Sequence, residues 1–153
     1  KSMSDSVHVV LCSSKGGTNP ENMLNRFGKE TLEDGTTRGG DILKWKRKAE
    51  KYLIDLGLPY TIVHPGGLIN EPGRERELCF GVDDINSLTE NNNVPREDVA
   101  EVMVQALKHE EYKGRSFDLV SKPAGEGTAT TDFIALLAAL GGKDCDYSLG
   151  EIA

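Results

Sequence analysis

Hydrophobic positions along the chain form two kinds of pattern, which are short continuous runs and stripes at three- and four-residue intervals. Continuous runs rich in β-branched residues are typical of strands in a covered parallel sheet. The three runs are residues 7–12, 59–64 and 116–120. Stripes at helical spacing predict amphipathic helices. The three stripes are residues 41–56, 95–108 and 131–140. Because runs and stripes alternate, the sequence predicts an α/β fold with a parallel sheet, right-handed crossovers and flanking helices.

The stretch Gly39–Leu68 gives the clearest local signals. Asp41 is predicted to cap the first helix through its carboxylate, and Gly57 is predicted to end it in the left-handed conformation. Pro65 ends the strand that follows, because proline has no N–H to give to a sheet. The apolar stripe of this helix, expected to face the core, consists of Ile42, Trp45, Ala49, Tyr52, Leu53 and Leu56.

The rest of the chain is less regular. Residues 19–40 are polar and without a sustained period, so we expect a loop over the end of the first strand. Leu78–Phe80 is a candidate short strand, and Pro95 opens the strongest helix signal. The tail after Gly142 is expected to be loose. No predicted strand is an obvious neighbour for the outer edge of the first one.

Composition narrows the function classes. The 153 residues suit one domain, and 25 acidic side chains against 18 basic ones give a net charge of −7, which disfavours a nucleic-acid partner. No apolar run approaches the roughly 20 residues of a membrane span. Cys12, Cys79 and Cys145 fit no metal-binding spacing, so we expect reduced thiols in an intracellular compartment and no metal site.

The chain starts at Lys1, and its first predicted strand follows almost at once. This favours a chain that begins inside a longer domain. A targeting segment would lie in the preceding part, so the compartment stays open between cytoplasm and plastid.

Four segments then point to a family. They are VHVVLCSSKGGTNP, DILKWKRKAEKYLIDLGLPYTIVHPGGL, VPREDVAEVMVQAL and FDLVSKP, which together cover about residues 7–122. In this order they resemble the C-terminal half of an atypical short-chain dehydrogenase/reductase of the NAD(P)-binding, NmrA-like kind, in particular its plant and algal members. The resemblance implies a Rossmann-type parallel sheet that binds NADP or NAD. The family's GxxGxxG loop, which holds the pyrophosphate at a helix N-terminus, is absent, so residues 1–153 are expected to form a partial domain that lacks the Gly-rich half.

The resemblance also implies catalytic residues. Ser14 takes the place of the strand-end serine that polarises a substrate carbonyl or contacts the nicotinamide, with Ser13 as the alternative; both hydroxyls can instead satisfy backbone groups. Lys46, aligned through KxxAE, takes the place of the lysine that bonds the ribose, against the alternative of a solvated surface lysine. The family's proton-donating tyrosine lies four residues earlier, where this chain has Ile42. The usual acid is therefore missing, and Trp45 is expected to pack rather than replace it.

The end of the second predicted strand carries the remaining candidates. His64 stands where relatives usually carry arginine, and it is a cofactor-contacting or acid/base candidate against a structural, hydrogen-bonded reading. Pro65, Gly66, Gly67 and Leu68 match the corner that contacts the nicotinamide amide in relatives, against the alternative of a plain turn.

Two functions follow from the resemblance. One is an NAD(P)-dependent oxidoreductase in its complete form, and the alternative is a non-catalytic module that senses NAD(P) or binds a protein. The expected partners are the dinucleotide and an unidentified small molecule. We expect this chain alone to bind the cofactor weakly, and to self-associate or to need the missing N-terminal half.

Overall fold

A computed structural model describes residues 7–150. Its strands are β1 (Val9–Cys12), β2 (Glu30–Thr31), β3 (Thr37–Arg38), β4 (Tyr60–Pro65), β5 (Gly67–Ile69), β6 (Leu78–Gly81), β7 (Asn93–Pro95) and β8 (Arg115–Ser121). Its α-helices are α1 (Ile42–Asp55), α2 (Arg96–Lys108) and α3 (Phe133–Ala138), and short 3-10 turns cover Met23–Arg26 and Glu110–Tyr112. The predicted α/β class is confirmed.

The main sheet has the strand order β1-β4-β8-β6. β1, β4 and β8 run parallel, with Leu11 opposite Ile62 and Val63 opposite Phe117. The candidate strand at Leu78–Phe80 exists as β6, and it closes the far edge antiparallel to β8. Within the described residues β1 has a strand partner on one side only, as the sequence predicted. Smaller ladders join β2 to β3 and β5 to β7.

One face of the sheet carries the apolar core. Phe117 of β8 is fully buried, and its ring stacks on Phe80 with 4.1 Å between centroids. Helix α2 covers these rings with Val99 and Val102, in agreement with its predicted stripe. Tyr112 meets the Phe80 ring edge-on. Burial of such aromatic side chains is a dominant source of stability in small domains.

Helix α1 covers the opposite face, but not with the predicted stripe. Ala49 of that stripe is exposed, as are its large members Ile42 (41%), Trp45 (64%), Tyr52 (67%) and Leu56 (50%). The buried side chains of α1 are Leu43, Arg47, Glu50 and Leu53. The prediction was wrong because this side of the sheet buries His64 and Asp118 beside the apolar Ile62, and charged helix residues pair with the two polar side chains.

The start of α1 also differs from the prediction. Asp41 has a φ of 55° and makes no side-chain cap. Instead the buried side chain of Asn25 accepts from the Leu43 N–H at 2.9 Å, and the Asn25 carbonyl accepts from the Asp41 N–H at 2.8 Å. The polar segment 19–40 therefore contains a 3-10 turn and the β2–β3 hairpin, and it supplies the cap. Gly57 adopts the predicted left-handed conformation.

The tail is packed rather than loose over residues 143–150. Cys145 is buried, and its N–H donates to the Ser116 carbonyl at 3.1 Å. Arg47 donates to the carbonyls of Asp146 and Leu149, at 2.6 Å and 3.0 Å. A buried guanidinium needs such acceptors, and the backbone of the tail provides them.

Among residues 7–150, no helix combines the length and the apolar character that crossing a membrane requires.

Candidate functional site

A cleft of about 290 Å³ lies at the carboxyl ends of β1 and β4. Its lining residues are Ser14, Lys15, Gly16, Asn22, Leu24, Pro65, Gly66, Gly67, Asp84 and Asn92. Ligands of open α/β sheets bind beyond the carboxyl ends of parallel strands. Four predicted site residues are thus brought to one cleft.

The two serines after β1 point to different places. Ser13 is buried, and its hydroxyl donates to the Glu50 carboxylate. Ser14 is half-buried, borders the cleft and donates to its neighbour's carbonyl, that of Lys15, at 3.1 Å. Ser14 is the serine that can turn its hydroxyl toward a bound molecule.

The corner after β4 is tightly packed. A Cβ on Gly66 would lie 2.0 Å from the Asn92 carbonyl oxygen, so only glycine fits there. The Gly66 N–H donates to the Leu119 carbonyl at 3.0 Å, and the Gly67 N–H donates to Asn92 at 2.7 Å. Both N–H groups already donate hydrogen bonds within the protein, so they are not free to bind a ligand. The two glycines therefore line the cleft as a wall of backbone atoms without side chains. Leu68 is 42% exposed and is not among the residues that line the cleft.

Lys46 and Ile42 lie on α1. Lys46 is half-buried, and neither residue is among those that line the cleft.

A network of buried charges lies beneath the cleft. His64 Nε2 is 3.0 Å from Glu50 Oε2, and His64 Nδ1 is 3.4 Å from Asp118 Oδ1. Cys145 Sγ is 3.5 Å from the same Nδ1 atom. Arg47 Nη1 is 4.0 Å from Glu50 Oε2. All five side chains are buried, so their interactions are weakly screened.

Burial and hydrogen bonding have opposite effects on the pKa values of Glu50 and His64. Burial alone would raise the pKa of Glu50, but the hydrogen bond and charge of His64 outweigh it and the pKa falls. Burial alone would lower the pKa of His64, but hydrogen bonds to Asp118, Cys145 and Glu50 raise that pKa well above its usual value. Near neutral pH the pair is therefore an imidazolium between carboxylates.

Tyr147 of the tail borders this network. Arg47 lies over its ring at 4.5 Å from the centroid. Its hydroxyl is buried and interacts with the Glu50 carboxylate. Burial first, and then the negative charge of Glu50, raise the pKa of the phenol, so it stays protonated.

Asp84 links the cleft to the buried network. Its carboxylate accepts from the N–H groups of Gly16, at 2.5 Å, and Thr18, at 3.0 Å. Its own N–H donates to Asp118 Oδ2 at 2.7 Å. Burial would raise the pKa of Asp84, but the bonds from Thr18 and Gly16 lower it. The loop after β1 is thus fixed by an ionised carboxylate.

Sequence reasoning missed most of this network. Glu50 is the last residue of the KxxAE segment, which points to the family but gives no sign that this carboxylate is buried. Arg47 stands among several charged residues of α1, and no local signal marks it as the buried one. Asp118 and Cys145 carry no local signal, because they join His64 only after three distant segments pack together.

The chain belongs to the NAD(P)H-binding family, whose profile matches residues 4–110. It is 50% identical over 131 residues to sanguinarine reductase of Eschscholzia californica, covering 86% of this chain and 44% of that protein. It is also 50% identical over 128 residues to an uncharacterized chloroplastic protein of Arabidopsis thaliana, covering 84% and 36%. The chain therefore spans less than half the length of these relatives.

Solved structures show the same fold. A protein described as an NAD-dependent epimerase/dehydratase from Bacillus halodurans matches with a TM-score of 0.58 at 22% identity, covering 86% of this chain and 50% of that one. The oxidoreductase ylbE from Lactococcus lactis matches with a TM-score of 0.55 at 19% identity, covering 88% and 52%. The predicted family and Rossmann-like sheet are confirmed.

Proposed function

We propose that this chain forms the nicotinamide-facing part of an NAD(P)-dependent oxidoreductase. The observation that carries the proposal is the cleft at the ends of β1 and β4, where Ser14 faces a wall made by Pro65, Gly66 and Gly67. The 50% identity to a reductase supports the reaction class. A flat, bare backbone wall suits a planar ring, and the cofactor supplies the hydride chemistry when it is bound.

In this proposal Ser14 donates its hydroxyl to a carbonyl at the reacting end. Pro65–Gly67 forms the wall of the cleft and holds the ring in place. His64 is a positioning residue, because it is buried beneath the cleft and fixed between carboxylates. Lys46 would reach a ribose only if a bound dinucleotide extends along α1, outside the cleft itself.

The second candidate is a non-catalytic module that senses NAD(P) or binds a protein. Ile42 favours it, because this side chain has no proton to give and lies exposed at the position of the family's tyrosine. The two candidates differ in turnover and agree in cofactor binding.

The proposed domain is larger than this chain. The sequence contains no GxxGxxG segment, and β1 pairs on one side only within the described residues. An open apolar strand edge recruits another strand. We therefore propose that residues 1–153 complete a sheet together with a glycine-rich half, and that alone they self-associate.

Calorimetric titration with NADPH and NADH, beside light scattering, tests this arrangement. The chain alone should bind with a dissociation constant on the order of millimolar or weaker, since no pyrophosphate loop is present. Micromolar binding by a clean monomer would contradict the partial-domain proposal.

Turnover is tested in the longer protein, which includes the glycine-rich half. Carbonyl substrates should be reduced slowly, and Ile42→Tyr should raise the rate. Ser14→Ala should lower kcat/KM by about a hundredfold, while Ser87→Ala, at an exposed loop position, should not. If no substrate turns over but NADPH binds tightly, the sensing function replaces the catalytic one.

The compartment is proposed to be the plastid, with the cytoplasm as the alternative. The support is the similarity to chloroplastic proteins of Arabidopsis thaliana. Microscopy of the longer protein fused to a fluorescent reporter distinguishes the two.

A further inference from the structure

Three potential metal ligands converge beneath the cleft. They are His64 Nδ1, Asp118 Oδ1 and Cys145 Sγ, and these atoms all lie within 4.8 Å of one another. The three side chains are buried, at 3%, 3% and 8% exposure. We propose that they bind a divalent transition-metal ion of the zinc class.

The two separations from His64 Nδ1 match tetrahedral coordination. Zinc bonds are about 2.0–2.1 Å to nitrogen, about 2.3 Å to sulfur and about 2.0–2.2 Å to oxygen. At tetrahedral angles these lengths place nitrogen about 3.3 Å from oxygen and about 3.5 Å from sulfur. In the structure Nδ1 is 3.4 Å from Asp118 Oδ1 and 3.5 Å from Cys145 Sγ. The third pair, Asp118 Oδ1 and Cys145 Sγ, lies within 4.8 Å, so the three ligand atoms are close enough together to share one ion.

Two of the ligands are already oriented by other groups. The second nitrogen of His64 bonds to Glu50 Oε2 at 3.0 Å, which directs the Nδ1 lone pair toward the cluster. The second oxygen of Asp118 accepts from the Asp84 N–H at 2.7 Å, which leaves Oδ1 for the ion. A carboxylate behind a metal-binding histidine is the usual outer-shell arrangement and strengthens binding.

The third ligand is held by the tail. The Cys145 N–H lies 3.2 Å from the Ser116 hydroxyl oxygen and 3.1 Å from the Ser116 carbonyl oxygen. Just beyond it, Arg47 bonds to the carbonyl of Asp146. The tail therefore brings a thiol, a ligand favoured by zinc-class ions, to a fixed place beside the imidazole.

Charge balance also favours a dication. Metal binding requires a thiolate and a neutral imidazole. With Cys145 as thiolate, the carboxylates of Glu50 and Asp118 and the guanidinium of Arg47 leave a formal charge of −2. A divalent ion cancels it, which is what a buried cluster requires. The ion and a proton compete for the Nδ1 lone pair, so binding is measured at mildly alkaline pH.

The three ligands line one small cavity together with Ser14, and we place the fourth coordination position there. This cavity leaves about 10 Å³ for the centre of a water molecule, which is room for one water. Three protein ligands with one water are the pattern of zinc sites that keep an open position.

Titration of the chelator-treated chain with Co²⁺ and Zn²⁺ tests the proposal. One equivalent of Co²⁺ should produce a thiolate-to-metal charge-transfer band and tetrahedral visible bands, and Zn²⁺ should displace it. Cys145→Ser should abolish the charge-transfer band. Cys12→Ser, which changes an exposed thiol, should keep it. Glu50→Gln should weaken binding by about 10- to 100-fold.

A second variant distinguishes a specific loss of metal binding from a loss of the fold. His64→Arg keeps a positive charge between the two carboxylates, so circular dichroism should stay native while metal binding disappears. Absence of stoichiometric binding by the parent chain would overturn the proposal. So would a Cys145→Ser chain that binds as tightly as the parent, or a charge-transfer band that vanishes with Cys12→Ser.

Discussion

The two faces of the main sheet are built by opposite means. On the α2 side, Phe80, Phe117 and Val102 are buried among other apolar side chains. On the α1 side, the same strands present His64 and Asp118. Successive residues of a strand point to opposite faces, so one strand serves both environments.

This difference shows when periodicity predicts a buried face correctly. A stripe of apolar residues marks the inner side of a helix only where the sheet opposite is apolar. The rule holds for α2. It fails for α1, where Glu50 and Arg47 are buried and Trp45 is exposed, because the polar sheet needs charged partners there.

The largest expected effect comes from the apolar face. Phe117→Ala removes a fully buried ring that stacks on Phe80, and it should lower the free energy of unfolding by about 3–5 kcal/mol. Urea denaturation followed by circular dichroism measures it. Val104→Ala, at a 45% exposed position of α2, is the control, and an equal loss there would contradict the assignment of this face as the core.

A smaller loss is expected on the polar face. Glu50→Gln keeps the shape but removes the charge that faces His64, at a cost of about 2 kcal/mol in chelator-treated protein. The control is Asp55→Asn, which breaks the exposed Lys51–Asp55 pair and should cost about 0.3–0.5 kcal/mol. Equal effects of the two variants would show that the buried network adds nothing.

Arg47→Met tests the contact between α1 and the tail. It removes hydrogen bonds to the carbonyls of Asp146 and Leu149, and it should cost about 1 kcal/mol. Hydrogen exchange should quicken at residues 145–149 first. Lys48→Met, at an exposed position of the same helix, is the control. Unchanged protection of the tail would mean that other contacts hold it.

The smallest effect is expected at the exposed stripe of α1. Trp45→Ser should change the free energy of unfolding by no more than about 0.5 kcal/mol, since the side chain is 64% exposed. Leu53→Ala, on the buried side of this helix, should cost about 2–5 kcal/mol. A large loss for Trp45→Ser would indicate that the stripe is covered, for example by a second copy of the chain.

Local signals predicted the elements well, because strand runs and helix stripes depend on neighbouring residues. The strand at Leu78–Phe80, the turn at Gly57 and the start of α2 after Pro95 follow from such signals. The cap by Asn25 and the packed tail do not, because both depend on contacts between segments far apart in sequence.

The residues of the candidate site also fall into those that local sequence signals predict and those that they do not. Ser14 and the corner Pro65–Gly67 could be placed from motifs, and they meet in one cleft. Asp118 and Cys145 could not, since their significance comes from His64, a single residue in place of the family's usual arginine. No local pattern marks such a three-way contact.

The contact between Arg47 and Leu149 joins residues 102 positions apart. During synthesis the helix that carries Arg47 therefore emerges long before its acceptors exist. Until the tail arrives, the guanidinium remains hydrated and the pocket around His64 stays open to water. Contacts this distant close late, because the entropy of the long loop must be overcome first. We therefore expect the site to be among the last parts of the molecule to form, after the apolar side of the sheet has condensed.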